Sequence, residues 1–317
     1  MSQLLPLLIA ETGLPEGDVL KIIRNAPIRY KTYAIPKRNG GERVISQPAR
    51  ELKILQRILL SNLLSSLPVH RAATAYRPGV SLRINASTHV QNGPILKFDF
   101  KDFFPSITVQ DWRIYCEKKS LFSDQRDIWI SASIFFHRQP GTSKLRLAIG
   151  APSSPCLSNV LMHDFDAEIS EMAEAERVTY TRYADDLTFS ARRTGYLNGI
   201  ERELKRILRE ITSPSLSLNP SKTVMATRKY KRFVTGLVLT NDNKVSIGHE
   251  RKRRIHAALY RESQGRLDYQ QRARLAGLLA FVNDVEPAFL ARLEEKYGPE
   301  LIQELKKVRA SGRIVDA

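Results

Sequence analysis

Tyr180-Thr181-Arg182-Tyr183-Ala184-Asp185-Asp186-Leu187-Thr188-Phe189-Ser190 is the stretch from which the rest of the chain can be read. β-Branched and aromatic residues alternate on either side of Ala184-Asp185-Asp186, so the segment reads as a hairpin with two adjacent carboxylates at its tip. Neighbouring carboxylates repel each other, and a hard divalent cation such as Mg²⁺ is the usual counter-charge for oxygen ligands. A solvated Asp-Asp turn is the ordinary alternative, and the pair alone does not choose between them.

Composition narrows the choice. The chain has 317 residues, with 50 Lys and Arg against 33 Asp and Glu, a net charge of +17. Such an excess destabilises a folded chain by self-repulsion unless a polyanion neutralises it, and nucleic acid is the first candidate. A structural RNA-binding protein shows the same bias, so charge alone does not imply an enzyme. The length suits two or three packed subdomains with a substantial core. Cys116 and Cys156 are the two cysteines, and their separation offers neither a metal-ligand spacing nor a disulfide framework. No Lys or Arg precedes Lys21, which argues against a signal peptide. No apolar run approaches the ~20 residues of a membrane span. An intracellular, cytoplasmic protein is expected.

Upstream of the hairpin, Ile95-Leu96-Lys97-Phe98-Asp99-Phe100 reads as a buried strand that contains a carboxylate. A charge there is costly unless it is paired with Lys or Arg or binds a metal. Lys101-Asp102-Phe103-Phe104-Pro105-Ser106 follows, and Thr108 with Asp111 makes a capping box for a helix to about Ser120. Gly150-Ala151-Pro152-Ser153-Ser154-Pro155 reads as a loop, with Ser154 as helix cap and Pro155 at the first helical position. Leu157, Val160, Leu161, Phe165, Ile169 and Met172 then mark one apolar face, and a further helix covers 199–211. Strand, helix, helix, hairpin and helix describe an α+β layer with helices on one face of an antiparallel sheet. Asp99 and Asp185 fall on strands that can be neighbours in it.

The flanks are simpler. Residues 15–25 read as a helix. Tyr30–Ile35 and Arg43–Ser46 form a hairpin around Asn39-Gly40-Gly41, with Lys37 and Arg38 near its tip. An amphipathic helix runs from Glu51 to Leu67 and stops at Pro68, and Tyr76-Arg77-Pro78-Gly79 reads as a turn. Phe233–Leu239 reads as one strand, and the tail as helices. The run Arg228–Arg232 and the stretch 251–274, with eight Lys or Arg and Tyr260 and Tyr269 among them, suit an electrostatic channel with stacking platforms.

Three carboxylates on adjacent strands can hold two metal ions about 3.5–4 Å apart, one activating a hydroxyl and the other holding a triphosphate. Nucleotidyl transfer and nuclease chemistry both use such a site, and spacing does not separate them.

Phe98-Asp99-Phe100-Lys101-Asp102-Phe103-Phe104, Gly150–Pro155 and Tyr183-Ala184-Asp185-Asp186 stand in the order of the palm motifs of reverse transcriptases, which this sequence resembles from about Tyr30 to Leu239. Asn85-Ala86-x-x-His89 and Val234-Thr235-Gly236 resemble elements of the bacterial retron branch of that family. The resemblance implies a right-hand polymerase, with N-terminal helices and fingers over 1–92, a palm with finger insertions over 93–240 and a helical thumb over 241–317. It implies two Mg²⁺ ions held by Asp99, Asp185, Asp186 and the main-chain carbonyl of Phe100. Asp102 and Phe103 are expected to offer backbone N–H groups to a deoxynucleoside triphosphate, with Phe104 a steric gate against a ribose 2′-hydroxyl. Gly150, Arg43 and Lys222 complete the expected nucleotide site; core packing for Phe104 and solvated surface positions for Arg43 and Lys222 are the plain alternatives. Asn85, His89, Val234, Thr235, Gly236, Arg251, Arg253 and Arg254 are expected to contact RNA; a core histidine bonded to a backbone carbonyl for His89, and a strand with a tight Gly approach for Val234-Thr235-Gly236, are the plain alternatives.

The implied activity is the copying of a cognate structured non-coding RNA into multicopy single-stranded DNA, primed from an RNA 2′-hydroxyl. A retron effector protein and a role in anti-phage defence are implied with it. Ile149 departs from the family, which often has Gln before the Gly150 loop, so the role of that Gln does not carry over. A diversity-generating or group II intron type of reverse transcriptase, and a non-catalytic RNA-binding scaffold with a polymerase-like fold, are the competing readings.

Overall fold

A computed structural model describes residues 2–37, 40–139 and 141–308, and Arg38 and Asn39 of the expected hairpin tip lie outside them. Two local periodicities, alternation in strands and three-to-four spacing in helices, account for most of its elements. The β-branched and aromatic run after Arg29 pairs as β1 (Tyr30–Pro36) with β2 (Glu42–Pro48), antiparallel, Tyr33 opposite Ile45. Next come β3 (Ile95–Asp99), a short antiparallel pair β4 (Phe136–Arg138) and β5 (Leu145–Leu147), then β6 (Thr179–Tyr183) and β7 (Asp186–Ser190). β8 (Val224–Ala226), β9 (Arg232–Val234), β10 (Leu237–Leu239) and β11 (Val245–Ser246) complete the strands. One sheet has the order β6-β7-β3-β8, and the carboxylate-bearing β3 and the hairpin are neighbours in it, the arrangement the pattern allowed. The fold is α+β.

The chain divides into two compact units. The first comprises 1–78, 97–189 and 195–224. Its core carries Phe98, Phe100, Phe103, Phe165, Leu187 and Phe189, all buried. The capping box of Thr108 and Asp111 opens a helix Val109–Lys118, as expected. A helix Gln125–Phe135, which sequence periodicity had not signalled, is buried along most of its length, so it lacks a polar stripe. Two expectations shift. Helix Ser154–Leu161 has Ser153, not Ser154, at its cap position, and no side chain caps it. Pro155 then sits second, where its missing N–H is still one the helix cannot use. The apolar face read as one helix is two, because the chain breaks at Met162 (ψ 3) before His163–Ala175.

The second unit comprises 79–96, 190–194 and 225–317. Helices His249–Ser263, Tyr269–Val285, Pro287–Tyr297 and Pro299–Lys307 bury Ile255, Leu259, Leu279, Val282, Leu290, Leu293, Ile302 and Leu305 together. Val234 and Leu237 join the same core, and so does Ala86 from the helix Leu82–His89. The single strand expected over Phe233–Leu239 is instead a tight hairpin. Thr235 (φ 48) and Gly236 (φ 77) form its turn, and Val234 pairs with Leu237. Positive φ at both central residues matches the right-handed twist of the flanking strands. Among the described residues no helix is long and apolar enough to cross a membrane.

Candidate active site

Three carboxylates are brought to one end of the central sheet by its strand order. Asp99 ends β3, Asp186 begins β7, and Ala184 (φ 55) turns the chain between β6 and β7. Phe100 N–H donates to the Asp185 carbonyl at 3.0 Å, so the tip of the hairpin is tied to the end of β3. Phe100 and Asp185, 85 positions apart in sequence, become neighbours through that bond. Burial and the neighbouring Asp99 carboxylate push the Asp185 carboxyl above its usual range. Burial raises Asp186 also, against the opposing pull of Lys97.

Lys222 lies beside Asp99. Lys101 N–H donates to Ser217 O at 2.9 Å and Asn219 N–H to Asp99 O at 2.7 Å, which docks the 217–222 segment on the end of β3. Lys222 Nζ then donates to Asp99 Oδ1 at 2.7 Å. Burial works against its charge, but the hydrogen bond to Asp99 and the field of all three carboxylates outweigh it, and the pKa rises. Lys97 Nζ lies 3.9 Å from Asp186 Oδ1.

The donor set, three carboxylates and a main-chain carbonyl, is made of hard oxygens and suits Mg²⁺. Burial raises the carboxyl pKa at two of them, and a bound divalent cation would favour their ionised forms. Among the described residues no group of three or more His, Cys, Asp or Glu is gathered as a metal cluster. Lys222 and Lys97 lie beside the carboxylates and supply counter-charge in this structure.

Aromatic rings cluster beyond the end of β3. Phe100 stacks on Phe103 at 5.7 Å between ring centres, and Phe103 meets Phe104 edge-on at 5.3 Å. Phe104 is half-buried, so it is neither a core ring nor a free one. Asp102 takes the left-handed conformation (φ 47) that starts the turn Phe103–Ser106. Arg43 is exposed on β2. Gly150 (φ 120) lies against the same hairpin: a Cβ there would stand 3.0 Å from Ser46 O and from Ile45 Cγ2. Ser46 N–H donates to Ile149 O at 2.8 Å, so the residue standing for the family's Gln contributes its backbone to the join.

One group of residues was invisible to the sequence reading. Arg182 and Asp166 are both fully buried and paired twice, Nε to Oδ1 at 2.8 Å and Nη2 to Oδ2 at 2.6 Å. Tyr180 Oη donates to the same carboxylate at 2.8 Å. Arg182 Nη1 reaches Asn159 Oδ1 at 3.1 Å and the Ala184 carbonyl at 3.2 Å. The guanidinium therefore holds the turn that carries Asp185 from below. The only signal in the sequence was an Arg inside an apolar strand, which is costly without a partner.

The second unit places the expected RNA-contacting residues in two different ways. Asn85 and His89 are fully buried, with His89 Nδ1 2.7 Å from Ser190 Oγ, so neither side chain is open to direct RNA contact. The outward residues of that helix are Arg83, Ile84, Ser87 and Thr88. The helix turns Asn85 and His89 inward because they share a face with Ala86 and Leu82, which pack on the core. Val234 is likewise buried. Arg251 is half-buried, donates to Gly236 O at 2.8 Å and lies over the Phe281 ring. Arg253 and Arg254 are exposed, the latter paired with Glu250.

The fold and the site define a nucleic-acid polymerase of the right-hand type. The family model described as reverse transcriptase (RNA-dependent DNA polymerase) matches residues 35–252, and the chain belongs to that family. Within it, the chain belongs with the bacterial retron enzymes. It is 37% identical to the retron Ec83 reverse transcriptase of Escherichia coli, over 95% of this chain and 97% of that protein. It is 34% identical to the retron Mx65 reverse transcriptase of Myxococcus xanthus, over 85% of this chain and 64% of that one. It is 31% identical to the retron Ec86 enzyme of Escherichia coli, over 90% and 88%. A solved telomerase from Candida albicans is a looser likeness, with TM-score 0.48 and 14% identity over 88% of this chain and 63% of that one. The protein is an RNA-directed DNA polymerase.

Proposed function

We propose that this polymerase copies part of a structured non-coding RNA into multicopy single-stranded DNA, priming from a 2′-hydroxyl of that RNA and leaving a branched RNA–DNA molecule. The observation that carries the catalytic part is the meeting of Asp99, Asp185 and Asp186 at one end of the sheet, beside Lys222. Asp99, Asp185, Asp186 and the Phe100 carbonyl would hold two Mg²⁺ ions, which lower the pKa of an attacking hydroxyl and stabilise the pyrophosphate leaving group. Lys222 already carries a proton near Asp99 and is the group here suited to pass one to the departing pyrophosphate. Arg43 offers a planar pair of donors for phosphate oxygens, and Asp102 and Phe103 offer backbone N–H groups. Gly150 keeps the loop close to the fingers hairpin, and Phe104 excludes a 2′-hydroxyl.

In this reading 1–92 are N-terminal helices and fingers, 93–240 the palm and 241–317 the thumb. Exposed Tyr230, Tyr260 and Tyr269 among Lys and Arg supply stacking and charge for the RNA and its cDNA. Thr235 and Gly236 present their turn, and Arg253 and Arg254 an exposed charge, to the cognate RNA; Asn85, His89, Val234 and Arg251 act behind that surface. A retron effector protein and anti-phage defence complete the proposal, resting on kinship with the retron enzymes.

Sequencing nucleic acid that copurifies with the protein from cells tests the biological part. A branched RNA–DNA molecule is expected, and linear cDNA alone would refute the priming. Deoxynucleotide incorporation on an RNA template tests the chemistry. Asp185→Asn/Asp186→Asn should abolish it, and extension by that variant at the wild-type rate would remove the catalytic assignment.

A further inference from the structure

Tyr76 stands in an unusual position that the mechanism above does not use. It is a bulky residue in the left-handed region (φ 60), a conformation that costs a non-glycine residue about 1–2 kcal/mol. Its ring is nonetheless 47% exposed. A strained backbone presenting an aromatic ring to solvent is maintained only where the surroundings hold it, and such strain gathers at functional sites.

The surroundings do hold it. Asn159 Nδ2 donates to Ala75 O at 2.8 Å. Thr74 N–H and Thr74 Oγ1 both donate to Arg182 O, at 2.8 and 3.0 Å. Arg77 Nη1 closes the turn onto Ala73 O at 3.2 Å. The segment before Tyr76 is thereby fastened to the strand that leads into Asp185, and to the helix after the Gly150 loop.

So fastened, the Tyr76 ring lies 6.3 Å from the Phe104 ring at 50°, and 6.5 Å from the Tyr183 ring at 37°. Both separations are those of interacting aromatic pairs. Asp185 and Arg43 are both close enough to act on the Tyr76 phenol electrostatically. Phe104 therefore has two ring neighbours, Phe103, which is buried, and Tyr76, which is half-exposed. A steric gate discriminates only if it cannot swing aside. Phe103 cannot prevent rotation in the direction away from itself.

We propose that Tyr76 is a specificity-determining residue: its ring packs against Phe104, limits that ring's swing and, with Tyr183, forms the wall that keeps a ribose 2′-hydroxyl out. The inference rests on the reading of Phe104 as the sugar gate. It assigns the selectivity to a pair of rings rather than to one, and gives the strain at Tyr76 a purpose.

The test is single-nucleotide incorporation by the full chain on an RNA template with a DNA primer, comparing the efficiency ratio of dGTP to GTP. Phe104→Ala should collapse that ratio. Tyr76→Ala should lower it by about three- to tenfold, the size of one lost aromatic pair. Tyr76→Phe keeps the ring and should retain it. Tyr76→Gly should lose selectivity as Tyr76→Ala does, yet melt at a higher temperature than Tyr76→Ala, because glycine accepts φ 60 without strain. Adding Tyr76→Ala to Phe104→Ala should change the ratio no further. A ratio unaltered in Tyr76→Gly and Tyr76→Ala, with Phe104→Ala collapsed, overturns the inference and leaves the gate standing. A ratio unaltered in Phe104→Ala overturns the gate reading itself.

Discussion

Replacing Asp166 with Ala should be among the most damaging single changes in the first unit, although Asp166 touches no substrate in any reading. Asp166 and Arg182 have no exposed side-chain surface, and two charged hydrogen bonds join them. Breaking a buried pair by removing one partner costs about 3–5 kcal/mol, because the other charge stays buried and uncompensated. Tyr180 loses its acceptor at the same time, a further ~1 kcal/mol that overlaps with the first. In a unit of this size each kcal/mol lowers the melting temperature by roughly 2–4 °C, so a fall of about 6–20 °C is expected. Circular dichroism melts of wild type, Asp166→Ala, Arg182→Met and Asp166→Leu/Arg182→Met measure this directly. The double apolar variant should recover much of the loss, since a well-packed apolar pair often matches a buried ion pair. It should not recover polymerase activity, because Arg182 also donates to Asn159 and to the Ala184 carbonyl below the aspartates. A melting temperature for Asp166→Ala within about 2 °C of wild type would refute the energetic reasoning. Full activity in the stable double variant would show that the brace supports the fold only.

Three other outcomes follow from the geometry. Asp185 and Asp186 have carboxyl pKa values raised by burial, so at neutral pH their ionised forms cost stability. That cost disappears as pH falls through the raised native values toward the ordinary 3.8. Asp185→Asn should therefore raise the melting temperature in EDTA at pH 7 and lose that advantage near pH 4; an equal gain at both pH values would contradict the shift. Gly150→Ala would place a Cβ 3.0 Å from Ser46 O at φ 120, so a loss of about 1–3 kcal/mol is expected, together with a higher KM for dNTPs. An unchanged chemical-denaturation midpoint would count against the close approach. Arg253→Ala/Arg254→Ala should weaken RNA binding and flatten its salt dependence by about one to two charges, whereas Arg251→Ala should chiefly lower stability, having Gly236 O and Phe281 as partners. Filter binding at several salt concentrations, with melts alongside, separates the two.

Much of the site was legible because its signals are local. Alternation around Ala184-Asp185-Asp186 specified a hairpin, an apolar run around Asp99 specified a buried strand, and Thr108 with Asp111 specified a helix start. Where the reading slipped, the missing information was not local. Phe233–Leu239 alternates like one strand, but Thr235-Gly236 folds it on itself, and only pairing with β11 and the packing of Val234 and Leu237 makes that fold preferable. Asn85 and His89 were expected at the RNA because their spacing resembles a retron element. Helix phase turned them inward instead.

The sequence by itself pointed to two-metal chemistry on nucleic acid, since three aspartates in those settings, a lysine beyond them and a charge of +17 are properties of residue type and spacing, and the resemblance of its motifs separated polymerase from nuclease. It determined the elements too, because hydrophobic period is written in the chain. Tertiary structure alone decided which charges answer each other. Lys222 for Asp99, Arg182 for Asp166, and Tyr76 against Phe104 are each set by the meeting of segments 16 to 123 residues apart or by a turn's placement on a strand. The physical reason is that electrostatic and packing energies depend on distance in space, whereas a sequence records only distance along the chain.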